Sequence, residues 1–449
     1  MKTKQTSIII LAAGQGSRMR STLPKVLHSV GNLPMINHVL NAAQQTTPES
    51  INIVLSPNSN EIEETVIKNH TAIKFFSQNS PLGTAHAVLA TESFLQNYDG
   101  NIIVLYADTP LISVDTLNRL RNALDQYDLV VVGMTPKDTR KYGRIILGSD
   151  GSIDSIIETH NGRDEDQRKA LQSPICNAGL MAFNAKKILP GLLQIPMIND
   201  EYPLTHIISY CHENKLSVGL VLADERECHG VNSRSELAIA EENFQSMARE
   251  KLMRDGVTLI DPSSTYVSFD TVIKADSIIE PHVYFGPNVS VESYTRIRSF
   301  SYLEGCTISS HVNIGPFARI RPETHVGESS RVGNFVELKN TTLANGSKVN
   351  HLSYIGDTDV GTKTNIGAGT ITCNYDGYRK SKTTIGNNVF IGANTSLIAP
   401  LTIEDGSIIA AGSTITKNVN KDAIASGRAQ QKEVAGAAIK YHNSKRKED

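Results

Sequence analysis

Ile385-Gly386, Ile391-Gly392, Leu397-Ile398, Ile403-Glu404, Ile409-Ala410 and Ile415-Thr416 set an aliphatic residue at every sixth position of one unbroken stretch. The same pairing runs earlier as Ile279-Glu280, Phe285-Gly286, Val291-Glu292, Ile297-Arg298 and Leu303-Glu304. It runs again as Ile314-Gly315, Ile320-Arg321, Val326-Gly327, Val332-Gly333 and Leu338-Lys339. A period of six fits neither a helix nor an alternating strand; it is a signature of parallel β-helices. The aliphatic residue points into a narrow core, and the small or polar residue after it lets the chain turn a corner. One coil cannot bury its own apolar face, so many must stack. The repeat extends from about Val272 to Val419, and the first half of the chain lacks it, which predicts a two-part protein.

A chain of 449 residues is too long for one compact core. With 44 Lys and Arg against 46 Asp and Glu, the formal net charge is -2, which argues against broad binding of nucleic acid or of a membrane surface. The run Lys445-Arg446-Lys447 next to Glu448-Asp449 reads as a solvated terminus. The five cysteines are scattered without paired spacing, so neither a disulfide framework nor a zinc site is expected, and free thiols suit a reducing, cytoplasmic setting. Residues 1–20 do not read as a signal peptide, and no apolar run approaches membrane-spanning length.

In the first half, the apolar runs Ser7–Leu11, Ile51–Leu55, Ile102–Tyr106 and Leu129–Val132 alternate with helical stretches such as Pro34 to Ala43. That alternation predicts a mainly parallel sheet covered on both faces, with ligands at the carboxyl ends of its strands. Directly after the first run, Ala12-Ala13-Gly14-Gln15-Gly16-Ser17-Arg18 offers a glycine-rich turn whose N–H groups can approach an anion. It is neither a Walker loop nor a dinucleotide fingerprint. Leu23-Pro24-Lys25 adds a second cation within reach of the same phosphates.

LAAGQGSRM followed by LPKVL resembles the signature of sugar-1-phosphate nucleotidyltransferases. Gln78 with Pro81–Ala85 is similar to that family's nucleobase segment, and Tyr106-Ala107-Asp108-Thr109-Pro110-Leu111 to its strand-end aspartate motif. Tyr142-Gly143-Arg144-Ile145, Glu158, Asn177-Ala178-Gly179 and Gly230-Val231-Asn232 follow in the family's order. The resemblance implies a Rossmann-like domain in which a sugar phosphate attacks the α-phosphorus of a nucleoside triphosphate and expels pyrophosphate. Such chemistry rests on positioning and charge neutralisation. Arg18 and Lys25 are then the catalytic cations, and Leu11, Ala12, Ala13, Gly14, Lys25, Gln78, Gly83, Thr84, Gly143, Glu158, Asn177 and Asn232 the UTP and UDP-sugar contacts. Asp108, a hard oxygen donor, and Asn232 are the implied Mg²⁺ ligands.

The solenoid's departures from its period carry further chemistry. The repeat lapses around Leu338-Lys339-Asn340, returns near Val349–Gly356, and lapses again over Thr372 to Thr384. His351 and the Asn374-Tyr375 loop are read as sitting at these lapses. Acetyl transfer to an amine needs a base, and imidazole is the natural one near neutral pH. Asn350-His351-Leu352-Ser353-Tyr354-Ile355-Gly356-Asp357 and Asn365–Gly377 resemble one family closely: the bifunctional N-acetylglucosamine-1-phosphate uridyltransferase and glucosamine-1-phosphate acetyltransferase. That resemblance implies a left-handed β-helix with His351 as base. It also implies glucosamine-1-phosphate contacts at Arg321, Lys339, Tyr354 and Asn365. Acetyl-coenzyme A contacts fall on Asn374, Tyr375, Lys380, Ala393, Ala411 and Arg428, and the assembly is a homotrimer.

The expected division is residues 1–232 for uridylyl transfer, a linker helix over 233–256, and 257–449 for acetyl transfer. Ala107, His160, His206, His229 and Ala393 depart from the family pattern and bear on sugar selectivity and rate rather than on reaction class. Two rival readings stay open: a nucleotidyltransferase for another sugar whose β-helix only oligomerises or regulates, and a non-catalytic regulatory subunit.

Overall fold

The computed structural model describes residues 5–139, 142–148, 151–157 and 172–446. They form two compact units, Met1–Met247 and Ala248–Asp449.

In the first unit, strands follow the spatial order Val218–Leu222, Leu129–Met134, Cys176–Asn184, Asn101–Tyr106, Thr6–Leu11, Ile51–Leu55 and Ile73–Ser77. All neighbours are parallel except Cys176–Asn184, which runs antiparallel to both of its own. The first strand is buried throughout, as its apolar run requires when both faces are covered. Successive side chains alternate between those faces: Ile8 and Ile10 enter one core cluster, Ile9 and Leu11 the other. The helix expected over Pro34 to Ala43 is Met35–Gln45. Because Thr6–Leu11 pairs with Ile51–Leu55 on one side and Asn101–Tyr106 on the other, chain order reverses beside it. This is the switch point at which open α/β sheets hold their ligands.

The helix Arg234–Arg254 is more than a spacer. Ala240 and Val231 share an apolar cluster with Val30, Met35 and Leu111, and the Gly31 N–H donates to Glu241 at 2.7 Å.

The second unit is a parallel β-helix. Three columns of short strands climb it, typified by Arg296–Ile297 to Asn313–Ile314, Tyr302–Leu303 to Arg319–Ile320, and Cys306–Ile308 to Thr324–Val326. The repeat's aliphatic residues, among them Ile279, Ile297, Ile314, Ile320, Leu338, Ile355, Ile391 and Ile409, make one continuous core. Corners are turned by residues with left-handed backbone, such as His282, Phe300, Phe317, Phe335 and Leu352.

The lapses have a simple cause. Leu338 to Leu343 and Ile355 to Val360 are core positions five residues apart, so one corner has lost a residue in each coil. The strands Glu337–Leu343 and Tyr354–Val360 run straight through it. The insertion after Cys373 leaves from the strand Ile371–Cys373, which stacks on Tyr354. His351 does not sit at a lapse. Val349 and Ile355 keep the full six-residue step, so His351 stands on an intact corner.

Candidate functional site

In the first unit a cleft of about 460 Å³ opens at the switch point. Leu11, Ala12, Ala13, Gly14, Arg18, Lys25, Gln78, Gly83, Thr84, Asp108 and Asn232 all line it, which brings most of the residues singled out in the sequence to one place. The loop after the first strand needs its glycine: Gly16 has φ +62°, and a Cβ there would lie 2.6 Å from that of Lys25. Lys25, in the 3-10 turn Lys25–Leu27, is only 9% exposed, so its ammonium requires partners. It donates to Asp108 Oδ2 at 2.5 Å and to Asn232 Oδ1 at 3.0 Å.

Two distant stretches are tied together to make this cluster. The Val231 N–H donates to the Asp108 carbonyl at 2.9 Å, placing Asn232 beside Asp108. Asn232 is itself fixed through its N–H to Glu236 Oε2 at 2.8 Å. Asp108 does not cap the helix after it; Ser113 does, accepting from the Thr116 N–H. Arg18 is exposed at the rim, and Arg234 braces its turn by donating to the Met19 carbonyl at 3.3 Å.

Asp108 and Asn232 present two oxygens that converge on one cation, the Lys25 ammonium. A pair of hard protein oxygens with room for phosphate oxygens fits Mg²⁺, which keeps water and substrate ligands around it. Among the described residues there is no group of three or more His, Cys, Asp or Glu able to hold a metal without such help.

The opposite wall is built by an interlock. Gln78 Nε2 donates to the Gly83 carbonyl at 3.2 Å. The Tyr202 N–H donates to Leu82 O at 2.7 Å, the Ala85 N–H to Tyr202 O at 3.0 Å, and the Leu204 N–H to Thr84 Oγ1 at 3.0 Å. Gly83 has φ +97°, and a Cβ there would meet the Tyr202 nitrogen at 2.8 Å. Thr84, Tyr106 and Glu201 also line a second cavity of about 760 Å³, together with Asn177 and His206. Gly143 lies behind this wall, its carbonyl accepting the Asn177 N–H at 2.8 Å. Glu158 and His160 lie outside the described residues. Tyr106 and Glu201, which face both cavities, received no role from the sequence; the position of Tyr106 at a strand end beside Asp108 was the available signal.

In the second unit the candidate residues form two groups along one face. At one edge, His351 lines a cavity of about 460 Å³ with Arg331, Asn334 and Phe335. Its Nδ1 lies 2.7 Å from Asn334 Oδ1. An amide oxygen only accepts, so this contact suits the neutral tautomer with its proton on Nδ1, in which Nε2 keeps its lone pair. Up the same corner the Gly369 N–H donates to His351 O, the Asn394 N–H to Ala368 O and the Gly412 N–H to Ala393 O. Ala393 and Ala411 therefore stack beyond His351, and Arg428 Nη1 donates to Ala411 O at 3.0 Å.

At the other edge, Lys339, Asn340, Asp357 and Lys380 line a cavity of about 560 Å³. Lys339 stands level with Gly356, and a Cβ on Gly356 would lie 2.4 Å from the Tyr354 hydroxyl, so Tyr354 leans toward this edge. The Lys339 group beside Lys380 pushes the Lys380 ammonium below its ordinary value. One coil earlier, Arg321 pairs with Glu337 at 2.8 Å. Tyr375 is exposed on the inserted loop and bridges to Lys380, while Asn365 lies on the neighbouring face in register with Lys348. The cavities holding His351 and Lys339 share no lining residue.

Residues 8–183 match the family model of the MobA-like NTP transferase domain, and residues 382–417 that of the bacterial transferase hexapeptide. The chain is 42% identical over 446 residues to the bifunctional protein GlmU of Paramagnetospirillum magneticum, covering 98% of this chain and 97% of that one. It is 44% identical over 437 residues to bifunctional protein GlmU of a Ruegeria species, covering 97% and 96%. With bifunctional protein GlmU of Zymomonas mobilis the identity is 41% over 449 residues, covering 99% of both chains.

Proposed function

This chain belongs to the family of the bifunctional protein GlmU, and on that basis we propose that it makes UDP-N-acetylglucosamine in two steps. Residues 257–449 acetylate glucosamine-1-phosphate from acetyl-coenzyme A. Residues 1–232 then join the N-acetylglucosamine-1-phosphate to UTP, and the helix between them connects the two.

In the first step the neutral sugar amine attacks the thioester carbonyl carbon, the C–S bond breaks, and the coenzyme leaves as its thiol. His351 Nε2 takes the amine proton, with Asn334 holding the ring in the required tautomer. Arg321 and Lys339 hold the sugar phosphate; Lys380, which the resemblance sets among the coenzyme contacts, is placed with them here because it lines the same cavity as Lys339, and Tyr354 and Asn365 contact the sugar. Asn374, Tyr375, Ala393, Ala411 and Arg428 receive the coenzyme.

In the second step a phosphate oxygen of the acetylated sugar attacks the α-phosphorus of UTP and pyrophosphate leaves. Lys25 and Arg18 neutralise charge on the transferring and leaving groups. Gln78, Gly83 and Thr84 receive the base, while Gly143, Glu158 and Asn177 receive the sugar. Mg²⁺ held by Asp108 and Asn232 supplies further neutralisation of the triphosphate. The observation that carries this half is the convergence of Asp108 and Asn232 on the Lys25 ammonium at the switch point.

We place the enzyme in the cytoplasm as a homotrimer, a neighbouring copy closing each acetyltransferase site. Two surfaces support this. Phe300, Phe317 and Phe335 stack on one another with centroids 4.9 and 5.2 Å apart, exposed on the corner that carries His351 and Leu352. The helix Ala437–Lys445 buries none of its own residues within the chain. Among the described residues no helix is long and apolar enough to cross a membrane.

The test supplies N-acetylglucosamine-1-phosphate, UTP and Mg²⁺ to the full chain and follows the UDP-sugar and pyrophosphate together. Failure of both to appear contradicts the proposal.

A further inference from the structure

Asn340, Asp357 and Asn374 are spaced seventeen residues apart and stack at one corner of the β-helix. At two of these levels the corner has lost a residue, and at the third the inserted loop begins. Asp357 has a left-handed backbone, φ 49°, and its carboxylate is buried between the other two side chains. Asn340 Nδ2 donates to Asp357 Oδ1 at 2.7 Å, and Asn374 Nδ2 donates to Asp357 Oδ2. A carboxylate only accepts, so both amides must turn their NH₂ groups toward it. The Ser381 N–H donates to the Asn374 carbonyl at 2.8 Å, which ties the far end of the loop to the same point. Lys380, one residue before that tie, is thereby held beside Lys339 although both are cations.

Building on the phosphate-binding role proposed above for Lys339 and Lys380, we infer that Asp357 is the positioning residue of that clamp. Its carboxylate anchors the base of the inserted loop through Asn374 and so presents two like-charged ammonium groups to one phosphate. Two cations packed together repel, and they stay together only if the backbone carrying them is fixed and a counter-charge is near. Asp357 supplies both. Burial opposes its charge, yet the hydrogen bonds from Asn340 and Asn374 and the charges of Lys339 and Lys380 outweigh it, holding the carboxyl below its ordinary value.

The sign of one substitution separates positioning from simple charge. If Asp357 were only a nearby negative charge, Asp357→Asn would strengthen phosphate binding. As the anchor of the clamp, its loss weakens binding. The experiment measures KM for glucosamine-1-phosphate and for acetyl-coenzyme A, and inhibition of acetyl transfer by inorganic phosphate. Uridylyl transfer by the same full-length chain reports on integrity of the first unit. For Asp357→Asn, KM for the sugar phosphate rises about tenfold and phosphate inhibition weakens alike, while KM for acetyl-coenzyme A, whose contacts at Ala393, Ala411 and Arg428 lie away from the loop, rises by no more than about threefold. Asp357→Glu recovers part of the loss. Asn340→Ala, a milder change, raises the same KM by about threefold. Lys339→Ala and Lys380→Ala test the premise: if neither raises KM for the sugar phosphate, the phosphate-binding reading itself falls. If they raise it and Asp357→Asn leaves it unchanged or lowers it, the positioning role is overturned.

Discussion

The Lys25 ammonium lies 2.5 Å from the Asp108 carboxylate, within a cleft that leaves Lys25 nearly buried. Lys25 sits on the 3-10 turn that follows the glycine-rich loop after Thr6–Leu11, and Asp108 lies two residues past the neighbouring parallel strand Asn101–Tyr106, so the two meet beyond the carboxyl ends of adjacent strands. Asp108→Ala leaves the ammonium without its counter-charge and removes the carboxylate of the proposed Mg²⁺ pair. Pyrophosphate release from UTP then falls by about a hundredfold or more, while thiol release from acetyl-coenzyme A is unchanged. Following both products on one preparation checks this; retained pyrophosphate release in Asp108→Ala overturns the assignment.

His351 and Asn334 make a matching prediction for the second unit. His351→Ala abolishes acetyl transfer and spares uridylyl transfer. Asn334→Ala keeps the imidazole but frees its tautomer, so kcat for acetyl transfer drops about tenfold with little change in KM. Steady-state kinetics with a thiol reagent separate these outcomes.

The exposed phenylalanine ladder predicts an assembly. Phe317→Asp with Phe335→Asp puts charge into a stacked apolar ridge and shifts the protein from trimer toward monomer, read by light scattering. Acetyl transfer falls with the trimer and uridylyl transfer persists. A double variant that remains trimeric removes the ladder from the interface.

Three histidines of the first unit contribute to its response to mild acid. His28, His38 and His70 are each held below the ordinary value of 6.5, by burial foremost. Arg234 adds to the effect at His28, whereas the Val30 carbonyl and Glu241 partly offset it at His38. The folded state thus binds fewer protons than the unfolded state below pH 6.5. The stabilisation is complete above that value and is lost as pH falls through the lower folded values. Residual uridylyl transfer after heating, assayed at one neutral pH, should fall when the heating step moves from about pH 7.5 to 5.5. His38→Gln should flatten that fall, and an unchanged slope contradicts the account.

Much of this was legible in the sequence because it depends on local pattern. The six-residue period specifies a stack of coils, since its aliphatic residues have nowhere else to go. The apolar run into Ala12–Gly14 and the strand Asn101–Tyr106, which leads into Asp108, mark the cleft for the same reason. What stayed hidden depends on register between distant segments. That Asp108 meets Asn232 was carried only by resemblance to a family, and the Val231 N–H that brings them together had no signal in the sequence. Asp357 stood in the quoted motif but without a role: its partners lie one coil above and one below, and only the stacked corner brings them into line. The period also misled once. It suggests that His351 sits at a break, but a histidine facing outward from an intact corner leaves the inward spacing undisturbed.

The central claim is that one chain carries out two reactions in sequence. The most direct measurement incubates the full-length protein with glucosamine-1-phosphate, acetyl-coenzyme A, UTP and Mg²⁺ and follows thiol, pyrophosphate and UDP-sugar separately. The account predicts all three products. Omitting acetyl-coenzyme A should abolish the UDP-sugar, and adding N-acetylglucosamine-1-phosphate should restore it. UDP-sugar made at full rate without acetyl-coenzyme A or the acetylated sugar would contradict it.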